Sequence, residues 1–303
     1  VVVALAIAVL VVAHVATTAR AALMFTDGDS MLPLLVMRSL DAGQPQDWAM
    51  SSVLFLPELL VFRLLWLLGL ALGIGADGVV VLYGVVSLMG LYGALRVVSG
   101  SPRRARAPIA GALIAFTGFA LLALCDSTAS RDSFELSSLM VTATYYCATM
   151  IAVVLSVGLL RRALTPARRG RRPVGALTGI VLVAGVATLS NPLFLLWATA
   201  PLTVVLVVWA AHRRDARSLW GALALAAGSA AGYAGRIPLA AFIANDGWGY
   251  VDLSRTPASL QYYAELVAQR WQLPGGVAAV LLGAAMFAVA VAASARLRGA
   301  GER

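Results

Sequence analysis

The chain has 303 residues, of which 61% are hydrophobic and 12% are charged, and its mean hydropathy is +0.88. Soluble domains carry about 25% charged residues, so this composition excludes a soluble globular protein and indicates a polytopic membrane protein. Cys125 and Cys147 lie in apolar segments without CxxC spacing, which argues against a disulfide framework and a zinc site. His14 and His212 are far apart in the sequence, so we expect no metal site built on imidazoles.

Residues 1–19 form an apolar run without a charge. It is long enough to cross the ~30 Å hydrocarbon core of a membrane, and we expect a retained helix, not a cleaved signal. Directly after it comes "TDGDSMLPLL" (26–35), in which Asp27 and Asp29 flank a glycine. Residues 20–77 make the first long loop, in which "SMLPLLVMRSL" and "PELLVFRLLWLLG" predict two short surface helices joined by the turn-rich "DAGQPQDW".

The window 52–75, "SVLFLPELLVFRLLWLLGLALGIG", has two interpretations. If it spans the membrane, Arg63 lies near the middle at a cost of about 2.5 to 3.5 kcal/mol, and Glu58 adds to that cost. If it lies along the surface, neither group leaves water. We expect a surface helix over residues 55–72, roughly parallel to the membrane, because this avoids burying Arg63.

Seven further windows have spanning length: 78–99, 108–125, 139–160, 174–190, 193–211, 219–241 and 275–295. With residues 1–19 they predict an all-α polytopic protein of about eight transmembrane helices and two extracytoplasmic surface helices. No window remains for a soluble domain, so residues 1–303 are predicted to form one transmembrane domain.

All 23 basic residues are arginine, and most lie in short links between the apolar runs. The links are "SPRRARA" (101–107), "RRALTPARRGRRP" (161–173), "HRRDARS" (212–218) and "RLRGAGER" (296–303). Eight spans place these links on one side and every acid except Asp215 and Glu302 on the other, which is the positive-inside pattern of a plasma-membrane protein. The net charge of +9 therefore does not indicate nucleic-acid binding. A nine-span arrangement, with 52–75 inserted, also satisfies the arginine pattern.

The second long loop, residues 242–274, mixes aromatic and polar side chains and can lie in the membrane interface or cover a site. Trp248 fits an aromatic belt at the interface, and stacking on a sugar is the alternative.

This layout resembles the GT-C superfamily of integral-membrane glycosyltransferases, which includes protein O-mannosyltransferases and aminoarabinose and arabinosyl transferases. The residues that carry the resemblance are "DGD" (27–29), "PELLVFRLLWLLG" and the short turn "SNPLFLLWATAP" (190–201). The resemblance implies transfer of a sugar from a polyprenyl-phosphate donor to a hydroxyl of a glycan, lipid or protein at the extracytoplasmic face, with inversion. It fixes no cofactor, and participation of a divalent cation stays open.

The resemblance also implies roles for single residues. Asp27 or Asp29 would be the general base, and it must lie within about 2.6 to 3.2 Å of the acceptor hydroxyl. A second acid often comes from the next outer loop, "CDSTASRDSFE", where Asp126 and Asp132 are the candidates.

The leaving phosphate needs a cation, and Arg131 and Arg236 are the candidates, because a guanidinium can bind two phosphate oxygens at once. Glu58 and Trp248 complete the predicted substrate contacts.

Each of these residues also has a structural interpretation. Asp27 and Asp29 can cap the following helix, and Glu58 follows Pro57 where a carboxylate favours the helix dipole. Arg236 can extend to lipid headgroups, and the adjacent Arg131 and Asp132 can form a solvated pair.

Two other function classes stay open from the sequence. A transporter or lipid flippase would place ionisable residues near the middle of several spans and often shows inverted repeats, whereas the acids here gather in the loops. The sequence does not distinguish a scaffold subunit of a cell-envelope complex.

Overall fold

The computed structural model describes residues 1–100, 107–130, 134–144, 146–165, 174–244 and 252–301. The described chain is all-helical and contains no β-strand, and one isolated bridge pairs Met50 with Ile243. Its α-helices are α1 (Val2–Thr17), α2 (Ala21–Phe25), α3 (Gly28–Asp41), α4 (Leu56–Leu72), α5 (Ala76–Ser99), α6 (Ala107–Leu124), α7 (Tyr146–Leu164), α8 (Val174–Ser190), α9 (Ala200–Arg213), α10 (Ala216–Ala234), α11 (Thr256–Arg270) and α12 (Gly276–Gly301).

Within the described ranges, three helical segments are long and apolar enough to cross a membrane. They are α5, α7 and the continuous Leu195–Arg213, which joins a π-helical turn to α9. Residues Val2–Thr17 and Ala21–Asp41 would add a fourth if counted as one bent span, and Pro108–Leu124, Val174–Ser190 and Gly276–Val289 are shorter apolar helices. The prediction of an all-α protein with transmembrane-type helices is confirmed at this level.

The chain turns sharply between α1 and α3. Thr18 takes an extended conformation with φ −106° and ψ −179°, which ends α1, and the direction of Ala21–Asp41 departs from that of α1 by 96°. A helix that leaves another at a right angle cannot continue along it, so α3 lies across the end of the bundle next to α1.

Helix α4 contacts α5, α7 and α8. Its Glu58 reaches the backbone of Ala148 at the start of α7, and its Phe62 ring lies 5.8 Å from the ring of Tyr83 in α5. Just before α4, the Leu54 N–H donates to the carbonyl of Ser190, the last residue of α8, at 2.8 Å. Gly69 near the end of α4 also packs against Val79, so α4 contacts the first turns of α5 and lies close to the start of α7 and the end of α8.

The helix ends define two ends of the bundle. At one, which we call the acidic end, α1 and α6 finish close together, since His14 Nε2 donates to the Asp126 carbonyl at 3.0 Å. The opposite end, where Arg161 donates to the carbonyl of Val98, is the arginine end. Asp27, Glu58 and Asp126 lie at the acidic end.

Helices α8 and α10 pack closely together, and glycine makes the approach possible. A Cβ atom placed on Gly228 of α10 would lie 2.5 Å from the carbonyl oxygen of Val181 in α8, so only glycine fits there. Small residues at spacing i, i+4, here Gly228 and Gly232, allow this backbone contact in transmembrane helices. Apolar side chains of α7 to α10 form one packed core, and those of α1 and α4 to α7 form the other.

Candidate functional site

The turn Asp27-Gly28-Asp29 begins α3 at the acidic end. Asp27 is extended (φ −75°, ψ 136°), and its Oδ2 accepts from the backbone N–H of Asp29 at 3.1 Å and of Ser30 at 3.2 Å. Asp27 therefore caps α3, as its residue type predicts. Asp29 lies in the first turn, where the helix dipole stabilises a negative charge. Both carboxylates are half-buried, and their roles in catalysis stay predictions.

A buried network of four charges lies at the same end and consists of Arg20, Asp126, Glu135 and Arg270. Arg20 Nη1 lies 3.1 Å from Glu135 Oε2, and Arg270 Nη1 lies 2.5 Å from Glu135 Oε1. Arg270 Nη2 also lies 3.1 Å from Asp126 Oδ1. Each of the four residues is at most 4% exposed. Two cations and two anions balance, so the network joins the end of α1, the loop after α6 and the end of α11 without a net buried charge.

Backbone groups of the loop after α6 complete this network. Glu135 accepts from the N–H groups of Ser127 at 2.9 Å and Thr128 at 2.8 Å, and Asp126 Oδ2 accepts from the N–H of Ser138 at 2.9 Å. Burial opposes ionisation of Glu135, but the bonds from Thr128 and Ser127 and the charge of Arg270 hold its pKa below the ordinary value. Burial raises the pKa of Asp126. Both carboxylate oxygens of Asp126 already accept hydrogen bonds within the protein, one from Ser138 and one from Arg270. Substrate binding by Asp126 stays a prediction.

Arg236 contacts backbone carbonyls. This buried residue follows α10, and it donates to the carbonyl of Leu189 at 2.7 Å and to that of Ser52 at 2.5 Å. It therefore joins the segment before α4 to the end of α8. Extension of the side chain to lipid headgroups does not describe this geometry, and phosphate binding by Arg236 stays a prediction.

Glu58 is buried between α4 and its neighbours α5 and α7. The residue is 2% exposed, its Oε1 accepts from the Ala148 N–H at 3.2 Å, and its Oε2 has no hydrogen-bond partner among the described residues. Burial raises the pKa of Glu58 to about 7. The expectation that Glu58 stays in water on a surface helix is wrong, because the face of α4 that carries Glu58 packs against α5 and α7.

Helices α3 and α4 are joined by polar contacts on their more exposed side. Asp41, the last residue of α3, accepts from Arg63 Nη1 at 3.0 Å and from Trp66 Nε1 at 2.6 Å. Arg63 is about one third exposed, so it does not lie in an apolar interior. The two helices of the first long loop therefore form one connected unit at the acidic end.

Sequence reasoning missed three members of the four-charge network. Arg20, Glu135 and Arg270 are separated by more than a hundred positions, and only the fold brings them together. The sequence did contain a signal. Arg20 and Arg270 each stand next to an apolar run, in loops where most other charged residues are acids. Three predicted site residues, Arg131, Asp132 and Trp248, lie outside the described residues.

A cavity of about 500 Å³ opens at the arginine end between α7 and α9. Its lining is apolar apart from Arg161 and Thr165 and includes Leu160, Leu202 and Leu206. This cavity is at the opposite end from Asp27 and Asp29. Across the described ranges, no group of three or more His, Cys, Asp or Glu side chains is arranged to hold a metal ion.

No family model, curated protein or solved structure matches this chain.

Proposed function

We propose that this chain is a membrane glycosyltransferase of the GT-C type, which transfers a sugar from a polyprenyl-phosphate donor to an acceptor hydroxyl. The observation that supports this proposal is the 96° turn after α1, which sets α3 across the bundle end and puts Asp27-Gly28-Asp29 at its start. An acidic turn placed there could meet both a lipid-borne donor and an acceptor from solution.

The proposed topology has eight spans, formed by α1, α5, α6, α7, α8, Leu195–Arg213, α10 and α12. The acidic end is extracytoplasmic, because the arginines of the other end follow the positive-inside rule. Helices α3 and α4 lie on the membrane surface at the acidic end. The right angle between α1 and α3 and the contacts of α4 with the start of α7 and the end of α8 support this arrangement.

Asp29 is the better candidate for the base. Asp27 Oδ2 already accepts from two backbone N–H groups of α3, so this oxygen serves as the helix cap, whereas Asp29 lies in the first turn of the helix. In the proposed step the acceptor oxygen bonds to the anomeric carbon as the bond from that carbon to the phosphate oxygen breaks. The hydroxyl proton passes to the carboxylate, and polyprenyl phosphate leaves with the electron pair.

The leaving phosphate would be bound by Arg236 or Arg131. Arg20 and Arg270 are unsuitable, because both are paired with the carboxylate of Glu135, whereas Arg236 donates only to uncharged carbonyl groups. Asp132, Asp126, Glu58 and Trp248 remain proposed contacts of the donor or acceptor.

The test is substitution of Asp29 and of Asp27 by Asn in purified protein in nanodiscs, with a panel of labelled lipid-linked sugars. Asn caps a helix about as well as Asp, so thermal stability should stay near that of the parent. Removal of a general base typically lowers the rate by 10² to 10⁴-fold, and we expect a loss of about two orders of magnitude for at least one variant, with Asp29→Asn the stronger.

Asp215→Asn is the matched control. Asp215 is likewise the N-cap of a helix, α10, at the arginine end, since its Oδ1 accepts from the Arg217 N–H at 3.1 Å and its Oδ2 from the Ser218 hydroxyl at 3.0 Å. This variant should keep full transfer. Unchanged transfer in both Asp27→Asn and Asp29→Asn, with an active parent, would show that the turn is only a cap. Movement of the lipid-linked sugar across the bilayer without transfer would favour a flippase.

A further inference from the structure

Glu58 is a buried acid whose hydrogen bonding is incomplete. One oxygen accepts from the first turn of α7 at 3.2 Å, and the other has no partner among the described residues. A buried carboxylate without a cation is strongly disfavoured, whereas a protonated carboxyl group loses far less on burial. The geometry therefore favours the protonated form when α4 packs on α7.

The titratable groups that face Glu58 do not supply a cation. They are Tyr83 of α5 and Cys147 of α7, a phenol and a thiol that are ordinarily uncharged at neutral pH. The nearest arginine on its own helix, Arg63, is bonded to Asp41. No ion pair of the described residues includes Glu58.

The residues that flank α4 at both ends have a left-handed backbone conformation. Phe55, just before the helix, has φ 52°, and Gly73, just after it, has φ 68°. A bulky residue in the left-handed region is strained and persists only where its surroundings hold it. Here Ser190 holds the chain on both sides, by accepting from the N–H groups of Leu54 at 2.8 Å and Leu56 at 3.2 Å.

We propose that Glu58 is a proton-binding site that controls the packing of α4 on α7. Helix α4 stays packed while Glu58 is protonated and moves away, about its two ends, when the proton leaves. The proton is the ligand, and the carboxyl group with its one N–H donor is the site. This inference does not depend on the proposed transfer reaction.

The pH window follows from the two environments of the carboxyl group. Packed, its pKa is about 7, and once solvated it returns toward the ordinary value of about 4.3. Because the packed form binds the proton more tightly, the packed state is most favoured at low pH. The free-energy difference that favours the packed state falls as pH rises through this window and changes little above it.

Displacement of α4 would also act on α3. Asp41 accepts from both Arg63 and Trp66, so the two helices are linked where α3 ends. The other end of α3 carries the Asp27-Gly28-Asp29 turn. Protonation of Glu58 would thus set the position of the unit that presents the two aspartates.

Cys147 is a probe for displacement of α4, because its thiol lies close to Glu58 on one side and bonds to the Thr142 carbonyl at 3.0 Å on the other. Its thiol is 1% exposed, and its neighbour Ala148 is the residue that donates to Glu58. In a Cys125→Ser background Cys147 is the sole thiol, and its reaction with a water-soluble pyridyl disulfide is measured between about pH 5 and pH 8. Dividing each rate by that of the same protein with Glu58→Gln removes the intrinsic pH dependence of the thiol, and the charge of Glu58 on the thiol would lower the ratio as pH rises, opposite to the expected change.

We expect this ratio to rise by about tenfold or more between about pH 5 and pH 7 and to level off above it, because Gln cannot lose a proton. Hydrogen exchange of residues 56–62 in the parent should rise over the same window, while exchange in α8 and α10 stays constant. A ratio that does not change with pH would overturn the proposal. So would a rise in exchange throughout the molecule, which would indicate general unfolding.

Discussion

Asp27 and Glu58 both stand at the start of a helix, but their oxygens meet different surroundings. Asp27 is half-buried and accepts from the backbone of the helix it begins, whereas Glu58 is buried and accepts one N–H from a different helix. The favourable effect of a helix N-terminus is about 0.3 to 1 kcal/mol at an exposed site, which is too small to offset the burial of a charge. Burial therefore decides the protonation of Glu58.

Replacing Glu58 by Gln should change how stability depends on pH. The rise of the pKa from 4.5 to about 7 corresponds to about 3 kcal/mol in favour of the folded state at low pH, lost as pH rises through that window. The parent should lose stability relative to Glu58→Gln between about pH 4.5 and pH 7. Thermal unfolding in detergent across this range measures the difference, and parallel curves for the two proteins would contradict the expectation.

Capping by Asp27 could be predicted from the sequence because it depends on three consecutive residues. The burial of Glu58 could not, since it depends on where α5 and α7 begin relative to α4. Arg236 is a similar case: the sequence places it after a span, but its bonds to Leu189 and Ser52 follow from the return of a distant segment.

At the scale of elements, the four-charge network joins α11 to the rest of the bundle through the ion pairs of Arg270 with Asp126 and Glu135. Removal of one partner leaves an uncompensated buried charge, which typically costs about 3 to 5 kcal/mol. Arg270→Met should therefore strongly lower the free energy of unfolding, as measured by denaturant titration in detergent.

Arg255→Met is the control for this prediction, because Arg255 pairs with Asp252 at 3.1 Å in the same segment but is 81% exposed. Exposed pairs contribute about 0 to 1 kcal/mol, so this variant should stay close to the parent. Equal losses for the two variants would show that the buried network stabilises no more than a surface pair.

The apolar windows located the helices well, and the differences have local causes. The window 193–211 begins in a π-helical turn, Leu195–Thr199, because Pro201 lacks the N–H that would bond to Trp197. The window 139–160 begins in a 3-10 turn, Ser137–Val141, and α7 starts only at Tyr146. Thr142 contributes to this, since its hydroxyl bonds back to the Leu139 carbonyl at 2.8 Å.

At the scale of the whole molecule, the proposed eight-span topology predicts which loops share a side of the membrane. Reporter fusions after Gln46, Gly75 and Ser130 should all report the extracytoplasmic side, and a fusion after Arg214 should report the cytoplasmic side. Opposite results for Gln46 and Ser130 would exclude eight spans and favour insertion of α4. The sequence leaves this choice open because the arginine pattern is the same in both arrangements.

The four-charge network also imposes an order on assembly during synthesis. Arg20 is made first, Glu135 and Asp126 follow more than a hundred residues later, and Arg270 comes last. Until residue 270 has left the ribosome, Asp126 and Glu135 have only the guanidinium of Arg20 to balance their charges. In the folded protein water is excluded from this region. The acidic end therefore cannot close while the chain is still growing through α10. A pause or truncation before Arg270 would leave an open intermediate with exposed charges, a form that quality-control proteases could recognise.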